Sequence, residues 1–437
     1  MPILKASGRC NDIVKYLPGV GQATYALGKL SQIAGIHYLG PSTTLILGSF
    51  IGAFGALLFT VHDPLSFKEH HLQYAGHLIN QFGNGNLYAA EFAVIQAWIP
   101  PSRRGVALGV FGCSASLAPG VFGAIDAAML PPALRWQSIW WLQGGLQLLI
   151  AVVLLLFLRS PPDAAGASAD SVAGAPASNN GKTDRVRDWI SCLEPAAEDG
   201  VKSDSKDHFM TEPTALDTAT VPEALVALFV NGKDLRAWFV LLAYIANMTV
   251  LGVSSYTVTS LVAVGYTTSS AVYVQTALAF VLAALLILLG IMRDRGQVKI
   301  VTAVAVTAII AGSIFDIVLI VYVAGSGLRD PKAQPLLSKI LPVVYALWTI
   351  VMLVTFALMV NISALRLGGR RHGATLIAIS GFTGYAVSVG MDVLVGDAVN
   401  RGDYLPFLLV STVATWVGAF AWALLVRADD EHMQAVR

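Results

Sequence analysis

The sequence predicts an all-α protein that crosses a membrane many times, and three observations carry this. Hydrophobic residues make up 55% of the 437 positions and charged residues only 13%, whereas soluble domains average about 25% charged. The charge is also concentrated: 21 of the 55 charged side chains fall within residues 159–236, leaving 34 for the other 359 positions. A water-covered surface needs far more than that. Finally, apolar runs of roughly 20 residues, the length that crosses a bilayer as a helix, recur along the chain. Lipid is therefore the solvent for most of it, and the protein is an integral, multi-pass membrane protein. A net charge of +1 gives no composition-level case for nucleic acid. Cys10, Cys113 and Cys192 lie far apart and form neither a disulfide framework nor a zinc spacing.

The N-terminal half holds five predicted spans, after a tail over 1–12. The first covers 13–33. The second, 42–62, carries Gly48, Gly52 and Gly55 at the three- and four-residue spacing that lets helix backbones approach closely. The third, 73–98, has a polar stripe. The fourth, 105–128, repeats the small-residue spacing at Gly105, Gly109 and Gly112 and is expected to kink at Pro119-Gly120. The fifth covers 137–158. Residues 159–236 are rich in Ala, Ser, Gly and Asp and read as a disordered cytoplasmic linker, with a short amphipathic helix around Val221–Val230. Six more spans follow in a bundle over 237–426, at 237–263, 269–292, 299–324, 338–365, 373–396 and 404–426, and 427–437 is a tail.

Loop charge sets the expected orientation. Arg103, Arg104, Arg293, Arg295, Lys299, Arg366, Arg370 and Arg371 fall on one side, tight against helix ends, as does the linker. Lys68, Arg135, Arg329, Lys332, Lys339 and Arg401 fall on the other. The first side is placed in the cytoplasm, which leaves Lys5, Arg9 and Lys15 on the less favoured face.

Several motifs occur in a characteristic order. Gly28-Lys29-Leu30-Ser31-Gln32-Ile33-Ala34-Gly35 and Gly290-Ile291-Met292-Arg293-Asp294-Arg295-Gly296 both resemble the pattern G-x-L-x-D-R-x-G-R-K, although Gln32 stands in the first where Asp is expected. His77–Gly83 is similar to R-x-x-Q-G-x-G. Trp98-Ile99-Pro100-Pro101-Ser102-Arg103-Arg104-Gly105 is similar to W-F-P-P-x-x-R-G, Gly112–Gly123 to a glycine-proline helix, and Arg135–Trp140 to W-R-W-x-F. Through these the chain resembles the major facilitator superfamily. The resemblance implies two six-helix bundles of inverted repeats, rocking about a central cavity. It also implies gating loops at Gly28, Gln32 and Gly35 and at Asp294, Arg295 and Gly296. Aligned on the motifs, the chain begins at the family's second helix. That reads either as a truncated product or as an eleven-helix protein.

His77, Asn80, Gln81, Asn84, Tyr88 and Glu91 share one helical face in the third span. Facing lipid, an acid in such a stripe would cost about 2.5–3.5 kcal/mol at the bilayer centre, so the face is expected to look inward. The family places this helix against its cavity. Asn80, Gln81, Asn84 and Tyr88 are thus candidates for substrate binding, or else for interhelical hydrogen bonding. Burial disfavours the charged form of a carboxylate, which suits Glu91 to a proton-coupling role, with His77 as a possible relay. The family's seventh and tenth helices match 237–263 and 338–365, and Tyr244, Asn247, Tyr345 and Trp348 on them are further candidates for substrate binding, or else for packing. Asp316 and Asp392 are additional acids within spans, and His62, His70 and His71 share a loop whose spacing fixes no metal geometry.

No Lys or Arg lies well inside a predicted span, Lys29 at a helix end coming nearest. A neutral or cationic solute is therefore expected, since carriers of anions usually bury a cation. Around Asn361–Ala374 a faint resemblance to anion:cation symporter permeases points the other way. The expected function is proton-coupled secondary transport of a small organic solute. The alternative is a non-transporting relative, motivated by the absent first helix. No nucleophile–base pair, phosphate loop or cofactor motif indicates an enzyme.

Overall fold

The computed structural model describes residues 11–60, 70–100, 103–129, 137–158, 229, 235–254, 256–326, 334–355 and 360–436. Among them the chain forms thirteen helices and no strand. The N-terminal half contains α1 (Asn11–Leu39), α2 (Pro41–Thr60), α3 (His70–Gly85), α4 (Tyr88–Trp98), α5 (Arg104–Met129) and α6 (Gln137–Phe157). The C-terminal half contains α7 (Arg236–Ser254), α8 (Thr257–Ala263), α9 (Thr268–Asp294), α10 (Val298–Ser326), α11 (Gln334–Leu353), α12 (Asn361–Asn400) and α13 (Leu405–Val436). The linker and its Val221–Val230 helix lie outside the described residues, apart from Phe229, Leu235 and Arg236. His62 and the Arg135-Trp136 pair also lie outside them.

Among the described residues, seven helices (α2, α6 and α9 to α13) are long and apolar enough to cross a membrane, and α7 with α8 makes an eighth if that pair is one span bent by 45°. The sequence predicts eleven. In the N-terminal half α1 carries a polar face, and the segment 73–98 is two helices, of 16 and 11 residues.

Three other boundaries differ from expectation. The first span does not end near residue 33 but runs to Leu39, where Gly40 at φ +82° turns the chain directly into α2. Residues 28–35 are therefore helix, and the expected gating loop at Gly28, Gln32 and Gly35 is corrected to a packed segment. A Cβ on Gly28 would strike the backbone of Phe82 and Gly85, and one on Gly35 would strike Thr44. Second, α11 stops at Leu353, and Asn361 opens the next helix instead of closing its predecessor. Third, the expected loop at 366–371 is helical. Backbone contact between Gly368 and Gly373 folds the chain tightly there, with no room for a side chain on Gly368.

Within the N-terminal half, α2 packs on α3 and α6, and α1 on α3. The glycines predicted to permit close approach do so. A Cβ on Gly55 would meet the backbone of Asn80 and Gly76, and one on Gly83 that of Gly52 and Gly48. In the C-terminal half α7 packs on α12 and α13, and α10 on α11 and α13. The halves meet along two seams, α5 against α9 and α1 against α12. Phe92 and Leu108 from one half share an apolar core with Val240, Ile377 and Leu425 from the other. Both seams bring residues far apart in sequence into a buried interface, and the site is built on the second.

Candidate functional site: a caged lysine between the two halves

On α1, Gln22, Tyr25, Lys29 and Gln32 recur at intervals of three, four and three residues, so all four point from one face. On α12, Gly381, Tyr385, Ser388 and Asp392 do the same. The two helices pack antiparallel, and the faces meet rung by rung. Gln22 Nε2 donates to Asp392 Oδ2 at 2.6 Å. The Tyr25 and Tyr385 rings lie 4.6 Å apart. Lys29 packs its side chain against Gly381, where a Cβ would collide with it.

Lys29 is only 2% exposed. Its ammonium sits 4.0 Å from the centroid of the Tyr88 ring, 5.1 Å from Tyr25 and 5.5 Å from Tyr385. Ring faces attract a desolvated cation by about 0.5–2 kcal/mol each. Glu91, one turn beyond Tyr88 on α4, attracts Lys29 through space without forming a contact ion pair. No acceptor of the protein is hydrogen-bonded to the ammonium among the described residues, so its donors are available to another group. Tyr88 extends the site across the seam: its hydroxyl accepts from Asn361 Nδ2 at 3.1 Å, and Tyr244 OH donates to Asn361 Oδ1.

The expectation that no cation lies inside a span is thus corrected. Because α1 continues to Leu39, Lys29 is ten residues from its end and buried at the interface of the halves. The spacing of the α1 polar face carried that signal, but a span ending near residue 33 hid it. Tyr25, Tyr385 and Gln147 were also missed.

The polar stripe predicted on one helix divides where that helix breaks, at Asn86-Leu87. Gln32, fully buried, holds the break: its Nε2 donates to Asn86 O and its Oε1 accepts from Ala89 N at 3.1 Å. Beyond it, Tyr88 and Glu91 face Lys29. Before it, Asn80 donates to Gly52 O at 2.7 Å, Asn84 to Asn80 Oδ1 at 3.1 Å, and Gln147 to Asn84 Oδ1 at 2.6 Å. These amides join α2, α3 and α6 within one half. His77 and Gln81 lie against Gly21 of α1, with His77 near the rings of Phe59 and Trp140.

Of the C-terminal candidates, only Tyr244 joins Tyr88 and Glu91. Asn247 accepts from Thr355 Oγ1 at 3.4 Å. Tyr345 and Trp348 pack together with Phe407, and Trp348 Nε1 donates to Asp316 Oδ2 at 2.8 Å inside the C-terminal half. The structure does not bring these three to Lys29. Among the described residues, no group of three His, Cys, Asp or Glu side chains could hold a metal ion.

The second motif of the expected gating pair is at a turn. Asp294 ends α9 and accepts from the backbone N–H groups of Gly105 and Val106, at 2.8 and 2.7 Å. Arg295 follows, and Gly296, at φ +76°, reverses the chain with its N–H on Arg293 O. Arg104, beside them, donates to Ile99 O and Gln96 O and so closes the end of α4.

Two helical halves, closed on each other along two seams around a buried charge, define a membrane transporter of the two-bundle class. The chain belongs to the Major Facilitator Superfamily, whose family model matches residues 23–328. Solved structures share the fold at low identity. A D-xylose–proton symporter is 10% identical with a TM-score of 0.58, covering 94% of this chain and 87% of its own. The E. coli fucose:proton symporter FucP is 15% identical at 0.57, covering 94% and 91%. The human organic anion transporter MFSD10 is 14% identical at 0.57, covering 94% and 83%. No curated protein matches the sequence significantly.

Proposed function

We propose that the chain is a proton-coupled secondary transporter of a small organic solute bearing an acidic group, working by alternating access. The observation that carries this reading is the Lys29 ammonium, buried among three tyrosines with its hydrogen-bond donors unused and Glu91 nearby. A buried cation needs a counter-charge. While Glu91 is ionised it supplies that charge from a distance. When Glu91 takes a proton, the ammonium is left for the carboxylate of a solute. Solute and proton then enter the site together, and each weakens the binding of the other's competitor. Tyr88, Asn361 and Tyr244 lie on both sides of the seam and supply neutral donors and acceptors around the charge.

The earlier preference for a neutral or cationic solute rested on the lack of a buried cation, and Lys29 removes that ground. Asn80 and Asn84 take the packing role that was weighed beside substrate binding. The end that carries Asp294, Arg104 and Arg366–Arg371 is assigned to the cytoplasm by its basic side chains. The test is thermal stabilisation of the purified protein by a panel of organic acids, sugars and amines. Acids are expected to stabilise the native protein and to lose that effect in Lys29→Met. Stabilisation by sugars or amines alone would overturn the substrate class.

A further inference from the structure

We propose that Asp392 takes up a proton to close the α1–α12 seam at the end away from the cytoplasm, forming a paired acid–amide catch with Gln22. This goes beyond the reading of the Lys29 site. It needs the two-bundle architecture but not Glu91 or any particular solute.

The geometry shows half of the catch. Gln22 Nε2, on the N-terminal half, donates to Asp392 Oδ2 on the C-terminal half at 2.6 Å. The remaining oxygen of each group, Gln22 Oε1 and Asp392 Oδ1, is buried without a hydrogen-bond partner. Both are acceptors, and neither can satisfy the other while Asp392 is ionised. One proton on Asp392 Oδ1 supplies the missing donor. The O–H then donates to Gln22 Oε1, the amide N–H already donates to Oδ2, and a two-bond ring joins the halves. Without the proton, two unsatisfied acceptors stay buried in the seam, each costing about 1–3 kcal/mol, and opening to water relieves both.

The surroundings keep the site dependent on that proton. Asp392 is 7% exposed. Gly252 of α7 lies so close that a Cβ would strike Ser388 Oγ and Asp392 Oδ1. Tyr256, at the start of α8, donates to the Asp392 backbone carbonyl at 3.2 Å and is the titratable group in electrostatic range, with Asp397 further along α12 also acting on that tyrosine. From α1 the facing group is the neutral Gln22. No charged side chain of α4 or α13, and no cation from any element, acts on Asp392 among the described residues. Among the described residues, a proton is thus what is placed to neutralise it.

The sign follows from linkage. Closure takes up one proton, so the closed-to-open ratio rises as pH falls, by up to about tenfold per pH unit. Gly19 and Gly390 offer label positions on the two helices, because a side chain at either meets nothing within 4 Å. Spin labels at cysteines introduced there, read by electron–electron distance measurement in nanodiscs across a pH series, should show the short distance gaining population as pH falls. Asp392→Asn, whose amide supplies donor and acceptor together, should hold the short distance at every pH. Gln22→Ala should flatten the response without that bias. Ser388→Ala should leave the response in place. A native distance distribution indifferent to pH, or a native-like response in Asp392→Asn or Gln22→Ala, would overturn the proposal. Failure of the Lys29 and Glu91 tests would leave these distances unaffected.

Discussion

Asp294 caps a helix of the opposite half: its Oδ1 accepts from the Gly105 backbone N–H at 2.8 Å, across 189 residues of sequence. The carboxylate ends α9 and meets the N-terminus of α5, where unpaired N–H groups and the helix dipole favour a negative charge. Beneath it the backbones of Gly105 and Gly290 approach so closely that a Cβ on either would strike the other half. That end of the α5–α9 seam, the end proposed to face the cytoplasm, is therefore shut by one carboxylate above a glycine contact.

Replacing Asp294 by Ala should loosen that end. Hydrogen bonds to charged groups contribute about 1.5–3 kcal/mol, so the open-to-closed ratio at the cytoplasmic end should rise by roughly ten- to a hundredfold. Labelling of a cysteine introduced at Val106, which faces Gly290 across the seam and is no smaller than cysteine, by a thiol reagent applied from that side is expected to accelerate accordingly. Unchanged labelling would count against the cap as a lock.

Gln32 should behave as a structural residue. Gln32→Ala removes the partners of Asn86 O and Ala89 N at the α3–α4 break, and each buried backbone group left unpaired costs about 1–3 kcal/mol. The variant's melting temperature in detergent should fall by several degrees. Gln32→Leu, similar in size, should not restore it.

Asn80→Ala separates packing from binding. It removes the α3 bond to the Gly52 carbonyl and the acceptor of Asn84 Nδ2, while the Gln147–Asn84 bond between α6 and α3 stays. A drop in thermal stability with the ligand affinity of the surviving protein unchanged is expected. A selective loss of affinity at native stability would return Asn80 to the substrate site.

Much of this architecture was legible in the sequence. The positions of most apolar helices and the Asp294 turn follow from apolar length and motif spacing. Glu91 and Tyr88 lie on the Lys29 side of α4, the face that the cost of an acid in lipid favours. The departures have separate causes. Polar helices that face protein carry a weak apolar signal, so α1 looked shorter than it is and its Lys29 looked terminal. The break at Asn86-Leu87 was invisible for a different reason: Gln32, from another helix, satisfies the freed backbone groups, and no local pattern announces that. The expected span 338–365 overran because residues 354–360 are as apolar as α11 in sequence, whereas Asn361 opens α12.

The most direct test of the central claim is the pH dependence of organic-acid affinity in the native protein and in Glu91→Gln. If protonation of Glu91 frees Lys29 for a carboxylate, native affinity should weaken as pH rises, approaching tenfold per unit. Glu91→Gln should lose the part of the slope that belongs to Glu91, leaving only the loss that follows deprotonation of Lys29, which no longer has Glu91 to hold its proton. A Glu91→Gln variant that keeps the native slope, or binding that survives Lys29→Met undiminished, would contradict the account.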